Sequence, residues 1–250
     1  MTVLLKENER VDDLGRRGYK IIQNSTKFCF GVDAALLAWF AEVRPGEKIL
    51  DLGTGTGIVP ILMDARNNTG DYTGLEIQEE MVEMANRSVE LNEISDHVRM
   101  VQGDIKKASE TFGKAMFHVV TSNPPYMAVG NGLTNPDLSK ALARHEIMCT
   151  LEDVVREAAA VLVPGGRFYM VHRPSRLPEI LHWMNTYKLA PSKLVTVHPF
   201  VDREATMILI SGTKNGHDIL HIGEPVIIYE SENNYTAQIK KIYDDDYRNK

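Results

Sequence analysis

Apolar residues recur along this chain in short blocks that alternate between two periods. Lys48 to Leu52, Tyr72 to Glu76, Val98 to Gln102, Phe117 to Ser122, Arg167 to His172, Lys193 to His198 and Ala205 to Ser211 read as strands. Between them, Ile58 to Ala65, Gln78 to Asn92, Leu151 to Leu162 and Leu177 to Tyr187 read as helices. Met81, Met84, Ala85, Val89 and Leu91 lie on or near the inner face of the second helix, and Pro164-Gly165-Gly166 is a stop signal for the third. Such alternation predicts an α/β protein with a mostly parallel sheet covered on both faces. The last two strands break the rule. Only six residues separate His198 from Ala205, too few for a crossover helix of about a dozen residues, so these strands should pair antiparallel.

Outside this block the pattern is weaker. Leu14 to Gln23 resembles a short hairpin, and Asp33 can cap a helix that starts at Ala34, runs through Leu36, Leu37, Phe40 and Ala41, and ends at Arg44-Pro45-Gly46. The tail, Ile219 to Lys250, carries one strand-like run, Val226 to Tyr229, and a final polar helix. No repeat or low-complexity tract is present. The expected organisation is an N-terminal extension over 1–44 packing on the core, a core over 45–214, and a C-terminal extension over 215–250.

The turn after the first core strand reads Asp51-Leu52-Gly53-Thr54-Gly55-Thr56-Gly57. Alternate glycines let the backbone pass close to a ligand beyond the strand ends. Ile58 stands where a dinucleotide fingerprint needs its third glycine, and the Gly-Lys-Ser/Thr of a triphosphate loop is missing. Asp51 would repel phosphate but attract an α-amino group. Glu76 ends the second strand, where a carboxylate can accept from two ribose hydroxyls. Asp104 follows the third strand and can accept from an adenine amino group, with Ile77 and Ile105 as apolar walls. Singly, each acid could be a helix-cap partner, a solvated strand end or a turn former. Together, at three successive strand ends, amine, ribose and adenine describe S-adenosylmethionine.

After the fourth strand comes Ser122-Asn123-Pro124-Pro125-Tyr126. A conjugated amine is a poor nucleophile because its lone pair is delocalised. Two acceptors, the Asn123 side-chain oxygen and the Pro124 carbonyl, can hold its two N–H groups, aim the nitrogen at a methyl sulfonium and stabilise the charge developing on it. The prolines rigidify these acceptors, and Tyr126 would stack on a base for about 1–3 kcal/mol. That is comparable with the few kcal/mol needed to extrude a base. No metal is required. Read alone, the segment is also a proline-rich turn.

Composition narrows the setting. An apolar fraction of 43% and a charged fraction of 25% are ordinary for a globular chain. No run approaches the roughly 18 apolar residues of a membrane span, and Val3-Leu4-Leu5 is too short for a signal peptide. Cys29 and Cys149 lack zinc-site spacing and suit a reducing cytosol, so a cytoplasmic protein without a metal is expected. The net charge of −6 means that contact with nucleic acid must come from local clusters. Arg16, Arg17, Lys20 and Lys27 form one candidate cluster, and Lys240, Lys241, Arg248 and Lys250 another, although charge runs can equally be solvated faces.

The glycine loop resembles motif I of the class I S-adenosylmethionine-dependent methyltransferases, and Asn123-Pro124-Pro125-Tyr126 resembles motif IV of those that methylate amino groups. Phe28-Cys29-Phe30-Gly31-Val32-Asp33-Ala34, Arg144-His145-Glu146 and Tyr235-Thr236 look like segments of the bacterial valine-tRNA (adenine-N6)-methyltransferases. This resemblance covers nearly the whole chain. It implies a Rossmann-like sheet of seven strands, ordered 3-2-1-4-5-7-6 with one strand antiparallel. It implies an adenine of RNA, in particular tRNA, as methyl acceptor. It also implies Phe30 or Gln23 near the cofactor; Phe30 and Arg144, with Arg16 and Arg17 of the basic cluster, are the candidate substrate contacts. Protein glutamine N5-methylation uses the same motif IV, but the roughly 45 residues before motif I leave little room for its usual helical recognition domain. DNA adenine methylation lacks its inserted recognition domain here. A catalytically silent cofactor-binding module is disfavoured by the intact Glu76, Asn123 and Tyr126.

Overall fold

The structure is a computed structural model that describes residues 4–26, 30–124, 149–217 and 219–243. Its centre is a sheet built from β3 (Lys48–Leu52), β4 (Asp71–Glu76), β5 (Val98–Gln102), β6 (Phe117–Ser122), β7 (Leu162–His172), β8 (Leu189–His198) and β9 (Met207–Lys214). Across the sheet the order is β8-β9-β7-β6-β3-β4-β5. Numbered within the core this is 3-2-1-4-5-7-6. β9 runs antiparallel to both β7 and β8, and the other pairings among these seven strands are parallel. The short gap after His198 therefore does what its length requires. Two short strands, β10 (His221–Ile222) and β11 (Val226–Ile227), extend the edge by pairing with β8.

Strand side chains alternate between two cores, as a period of two demands. Ile49, Val119, Val171 and Leu209 enter one core. That face is covered by α1 (Val32–Phe40), α2 (Ile58–Asn67) and α3 (Glu79–Leu91). Leu50, Val120, Met170 and Ile208 enter the other, beneath α4 (Ala108–Phe112), α5 (Leu151–Val161) and α6 (Leu177–Thr186).

The chain's two ends meet on the first face. β1 (Glu9–Asp13) pairs antiparallel with β2 (Lys20–Asn24), so Leu14 to Tyr19, expected as part of a hairpin, forms its connection. The last described helix, α7 (Ala237–Tyr243), follows a small hairpin of β12 (Tyr229–Ser231) and β13 (Asn234–Tyr235). Leu14 and Ile21 from one end, and Ile239 and Ile242 from the other, share the first core.

Two local expectations change. Asp33 does not cap α1; Gly31 holds the N-cap position and Asp33 lies in the first turn. Pro164-Gly165-Gly166 does not precede β7 but lies within it. There the pairing with β6 shifts between Phe117 and Val119, and Gly165 takes a φ of +78°.

Gly57 shows how closely the glycine turn is packed. Its φ is +78°, and a Cβ would lie 2.6 Å from Met100 Cε and 3.2 Å from Ala85 Cβ. Gly55 is also left-handed, at +55°, but a Cβ there meets nothing within 4 Å. Gly57→Ala should thus cost about 2–4 kcal/mol, combining left-handed strain with overpacking. Gly55→Ala should cost about 1–2 kcal/mol, from strain alone. Urea unfolding of both variants checks the order. Equal losses would mean that the helix–strand contact at Gly57 is slack.

Candidate active site

The strand order reverses between β3 and β6. Beyond the carboxyl ends of such strands lies the crevice in which open α/β sheets bind ligands. The register puts Asp51 beside Thr121 and Leu52 beside Ser122. Asp51 is 1% exposed, and its Oδ1 accepts from Thr121 Oγ at 2.6 Å. Burial pushes its carboxyl up to about 6; the Thr121 hydroxyl opposes the shift and the nearby Glu76 charge adds to it. A carboxyl that keeps its proton into the mildly acidic range is poised to gain a cationic partner.

The glycine loop is pinned by its neighbours. The amides of Gly53 and Thr54 donate to the carbonyl of Leu75, at 2.9 and 3.0 Å. Glu76, buried at the end of β4, accepts from the Gly55 amide with Oε2 and from the Gln78 amide with Oε1, both at 3.0 Å. Oε1 also accepts from Gln78 Nε2 at 3.4 Å, so three bonds orient the group and leave about one of a carboxylate's roughly four acceptor positions open, a second becoming available if that long side-chain bond yields. Asp104 follows β5 and accepts from the Lys106 amide at 2.9 Å. Ile77 is 38% exposed, whereas Ile105 is half-buried and its Cδ1 lies 3.4 Å from where a Gly53 Cβ would be. The open space before Gly55 and this close approach at Gly53 fit the cradle of a nucleoside with an amino acid tail. Asp51, Glu76, Ile77, Asp104 and Ile105 thus gather round one loop.

Asn123 and Pro124 leave β6 on the other side of the crevice. Ser122 Oγ donates to the Leu52 carbonyl at 2.9 Å, joining the start of this segment to the glycine loop. Asn123 Nδ2 donates to Asp33 Oδ2 at 2.9 Å. Tyr126 and Arg144, together with Lys27, Arg248 and Lys250, lie outside the described residues.

Phe30 is half-buried against the first core, and its amide donates to Gln23 Oε1 at 3.1 Å. Gln23 is buried and also bonds Asp12, so its side chain braces the segment leading into α1. Arg16 is a correction. It is 6% exposed, and its guanidinium donates to the carbonyls of Lys241 and Ile242, at 3.4 and 3.0 Å, so it ties down the end of α7 instead of facing a phosphate. Arg17 and Lys20 remain exposed, as does Lys241. Sequence reasoning missed Thr121 and Ser122, although two hydroxyls closing a buried strand were a visible signal. It also gave Asp33 the wrong partner. Among the described residues no group of three or more His, Cys, Asp and Glu side chains is placed to hold a metal, and no helix is long and apolar enough to cross a membrane.

Comparison with known proteins agrees with this geometry. A family model described as "Methyltransferase domain" matches residues 44–224. A tRNA1(Val) (adenine(37)-N6)-methyltransferase of Porphyromonas gingivalis is 30% identical over 197 residues, covering 76% of each chain. A protein of the same name from a Flavobacteriaceae bacterium is 24% identical over 230 residues, covering 92% of each. Among solved structures, a predicted O-methyltransferase from Agrobacterium tumefaciens superposes with a TM-score of 0.68 at 24% identity, covering 84% of this chain and 95% of that one. The geranyl diphosphate C-methyltransferase of Streptomyces coelicolor, solved with S-adenosyl-L-homocysteine, gives 0.53 at 15% identity over 73% and 75% of the two chains. These two likenesses concern the fold. With the site and the family match in agreement, the chain belongs to the methyltransferase domain family and is an S-adenosylmethionine-dependent methyltransferase.

Proposed function

We propose that this enzyme methylates the exocyclic N6 of an adenine in tRNA, at position 37 as in the names of its relatives, in the cytosol. The observation that carries the reading is the placement of Asn123. The β3–β6 register sets it across the crevice from the loop of Asp51, and its amide nitrogen is engaged by Asp33. The amide oxygen is then the branch left to accept from a substrate amine.

The cofactor, when bound, supplies an electrophilic methyl group on a sulfonium. Asp51 would meet its ammonium, Glu76 its ribose hydroxyls, and Asp104 its adenine amino group, with Ile77 and Ile105 against the ring. The glycines at 53, 55 and 57 let the backbone come close. On the acceptor side, the Asn123 oxygen and the Pro124 carbonyl hold the two N–H groups of the amine. They fix the nitrogen in line and stabilise its rising positive charge, so that alignment does most of the catalysis. Tyr126 is the proposed stacking partner of the base, and Phe30 and Arg144 are proposed substrate contacts. Arg17 and Lys241, brought to one side by the bond between Arg16 and the Lys241 carbonyl, are the proposed phosphate contacts.

The direct test is incubation with methyl-labelled cofactor and separate pools of tRNA, ribosomal RNA, DNA and protein, followed by nuclease digestion. Label in tRNA as N6-methyladenosine is expected, and Asn123→Ala should reduce it to a slow residual rate, measurable in single turnover, while binding cofactor nearly as well as the native enzyme. Label confined to protein or DNA would overturn the reading.

Asp51 makes the pH dependence specific. Its carboxyl is raised in the folded state, so the fold holds that proton more tightly than the unfolded chain. Ionised Asp51 therefore costs stability, in full above about pH 6, decreasingly towards pH 4 and not at all below the unfolded value. Asp51→Asn should raise the unfolding free energy of the unliganded protein at pH 7.5, by at most about 3 kcal/mol, and leave it unchanged below pH 4. The same variant should bind cofactor weakly. Native affinity should itself decline as pH falls through about 6. Calorimetry at several pH values measures both.

Replacing Arg17 and Lys241 by Ala should weaken tRNA binding and flatten its salt dependence by about 0.7–0.9 per lost phosphate contact. Arg16→Ala should instead lower thermal stability. An unaltered slope in the double variant would move the RNA contacts elsewhere.

A further inference from the structure

Asp33 lies about ninety residues before Asn123, on α1, yet the two side chains meet. Three features place the contact. The period of two along β6 turns residues 119 and 121 towards the sheet face that α1 covers, Val119 is buried there, and Asn123 directly follows the strand's end. Gly31 occupies the N-cap of α1, which puts Asp33 in the helix's first turn. A Cβ at residue 31 would stand 2.8 Å from Asp33 Oδ1, so only glycine leaves room for the carboxylate where it sits. Its Oδ2 then accepts from Asn123 Nδ2 at 2.9 Å.

Resting on the assignment of Asn123 as acceptor for the substrate amine, we infer that Asp33 is the positioning residue that fixes which end of the Asn123 amide faces that amine. The two ends of an asparagine amide are nearly isosteric but opposite in function. Its oxygen can accept an N–H from adenine, whereas its nitrogen would oppose donor to donor. An ionised carboxylate only accepts, so it selects the amide nitrogen and leaves the oxygen on the substrate side. The charge of Asp33 also polarises the amide and makes that oxygen a better acceptor. Phe200, Tyr229, Tyr235 and Tyr243 form a chain of ring contacts with centroids 5.2–5.8 Å apart. Tyr243 feels the Asp33 charge, so this chain connects the C-terminal hairpin and helix to the same point.

The test is a double-variant cycle in single-turnover assays of the full-length enzyme on tRNA, with cofactor affinity by calorimetry and the thermal midpoint measured in parallel. Asp33→Ala should slow methyl transfer roughly ten- to hundred-fold, the worth of a hydrogen bond to a charged group, with cofactor affinity unchanged. In the Asn123→Ala background it should slow transfer no further. Asp33→Asn keeps an oxygen acceptor in the same place and guards against a folding defect; it should recover much of the rate lost in Asp33→Ala. The inference is overturned if Asp33→Ala turns over at the native rate, if the two deficits multiply in the double variant, or if Asp33→Asn is no faster than Asp33→Ala. Native turnover by Asn123→Ala would fail differently, removing the acceptor role of Asn123 itself.

Discussion

The pairing of β3 with β6 is the constraint on which the site depends. Because strand side chains alternate, a slip of one residue would turn every side chain of one strand to the opposite face. The observed register places the Asp51 carboxyl against the Thr121 hydroxyl and the Ser122 hydroxyl against the Leu52 carbonyl. The glycine loop and the segment of Asn123, proposed to hold the nucleoside and the substrate amine, are thereby fixed relative to each other by a rigid ladder. Methyl transfer needs donor and acceptor in line, and with these proposed roles the register would set that line before either ligand arrives.

The arrangement carries a cost. An ionisable group sits fully buried at the end of an apolar strand, and three glycines in the following turn adopt left-handed backbone. Both features work against stability, and in the proposed function both serve cofactor binding. The two cores, one on each sheet face, supply the stability that tolerates them. Strain of this kind persists only where the surroundings over-determine the conformation. Here the Leu75 carbonyl and the Glu76 carboxylate do so by gripping the amides of Gly53, Thr54 and Gly55.

Much of this was legible in the chain. Buried parallel strands announce themselves as apolar runs, and their acidic ends at 51, 76 and 104 mark one edge of the sheet. The six residues after His198 forced the antiparallel pair, and the strand order implied by resemblance is the one observed. Tertiary partners were not legible. Arg16 and Arg17 look equivalent in sequence, but the hairpin connection turns one into the protein to bind α7 and leaves the other in solvent. Asp33 has the composition of a helix cap, and local rules gave it one. Gly31 took that position, and a strand end distant in sequence took the carboxylate. Pro164-Gly165-Gly166 reads as a stop signal because its residues disfavour regular structure; the sheet absorbs it instead as an irregular register beside β6.

The two extensions acquire a purpose from the same reasoning. Leu14, Ile21, Ile239 and Ile242 are buried in the core that backs α1, and Arg16 joins the two chain ends across it. They therefore help hold α1 against the sheet, and α1 carries the carboxylate that meets Asn123. An acceptor amide at the end of a strand is free to rotate about its own side-chain bonds unless a second element restrains it. In this chain the restraint comes from segments outside the strand–helix alternation. The glycine loop lies wholly within the strand–helix alternation, whereas the proposed orientation of the acceptor amide draws on the core together with its ends.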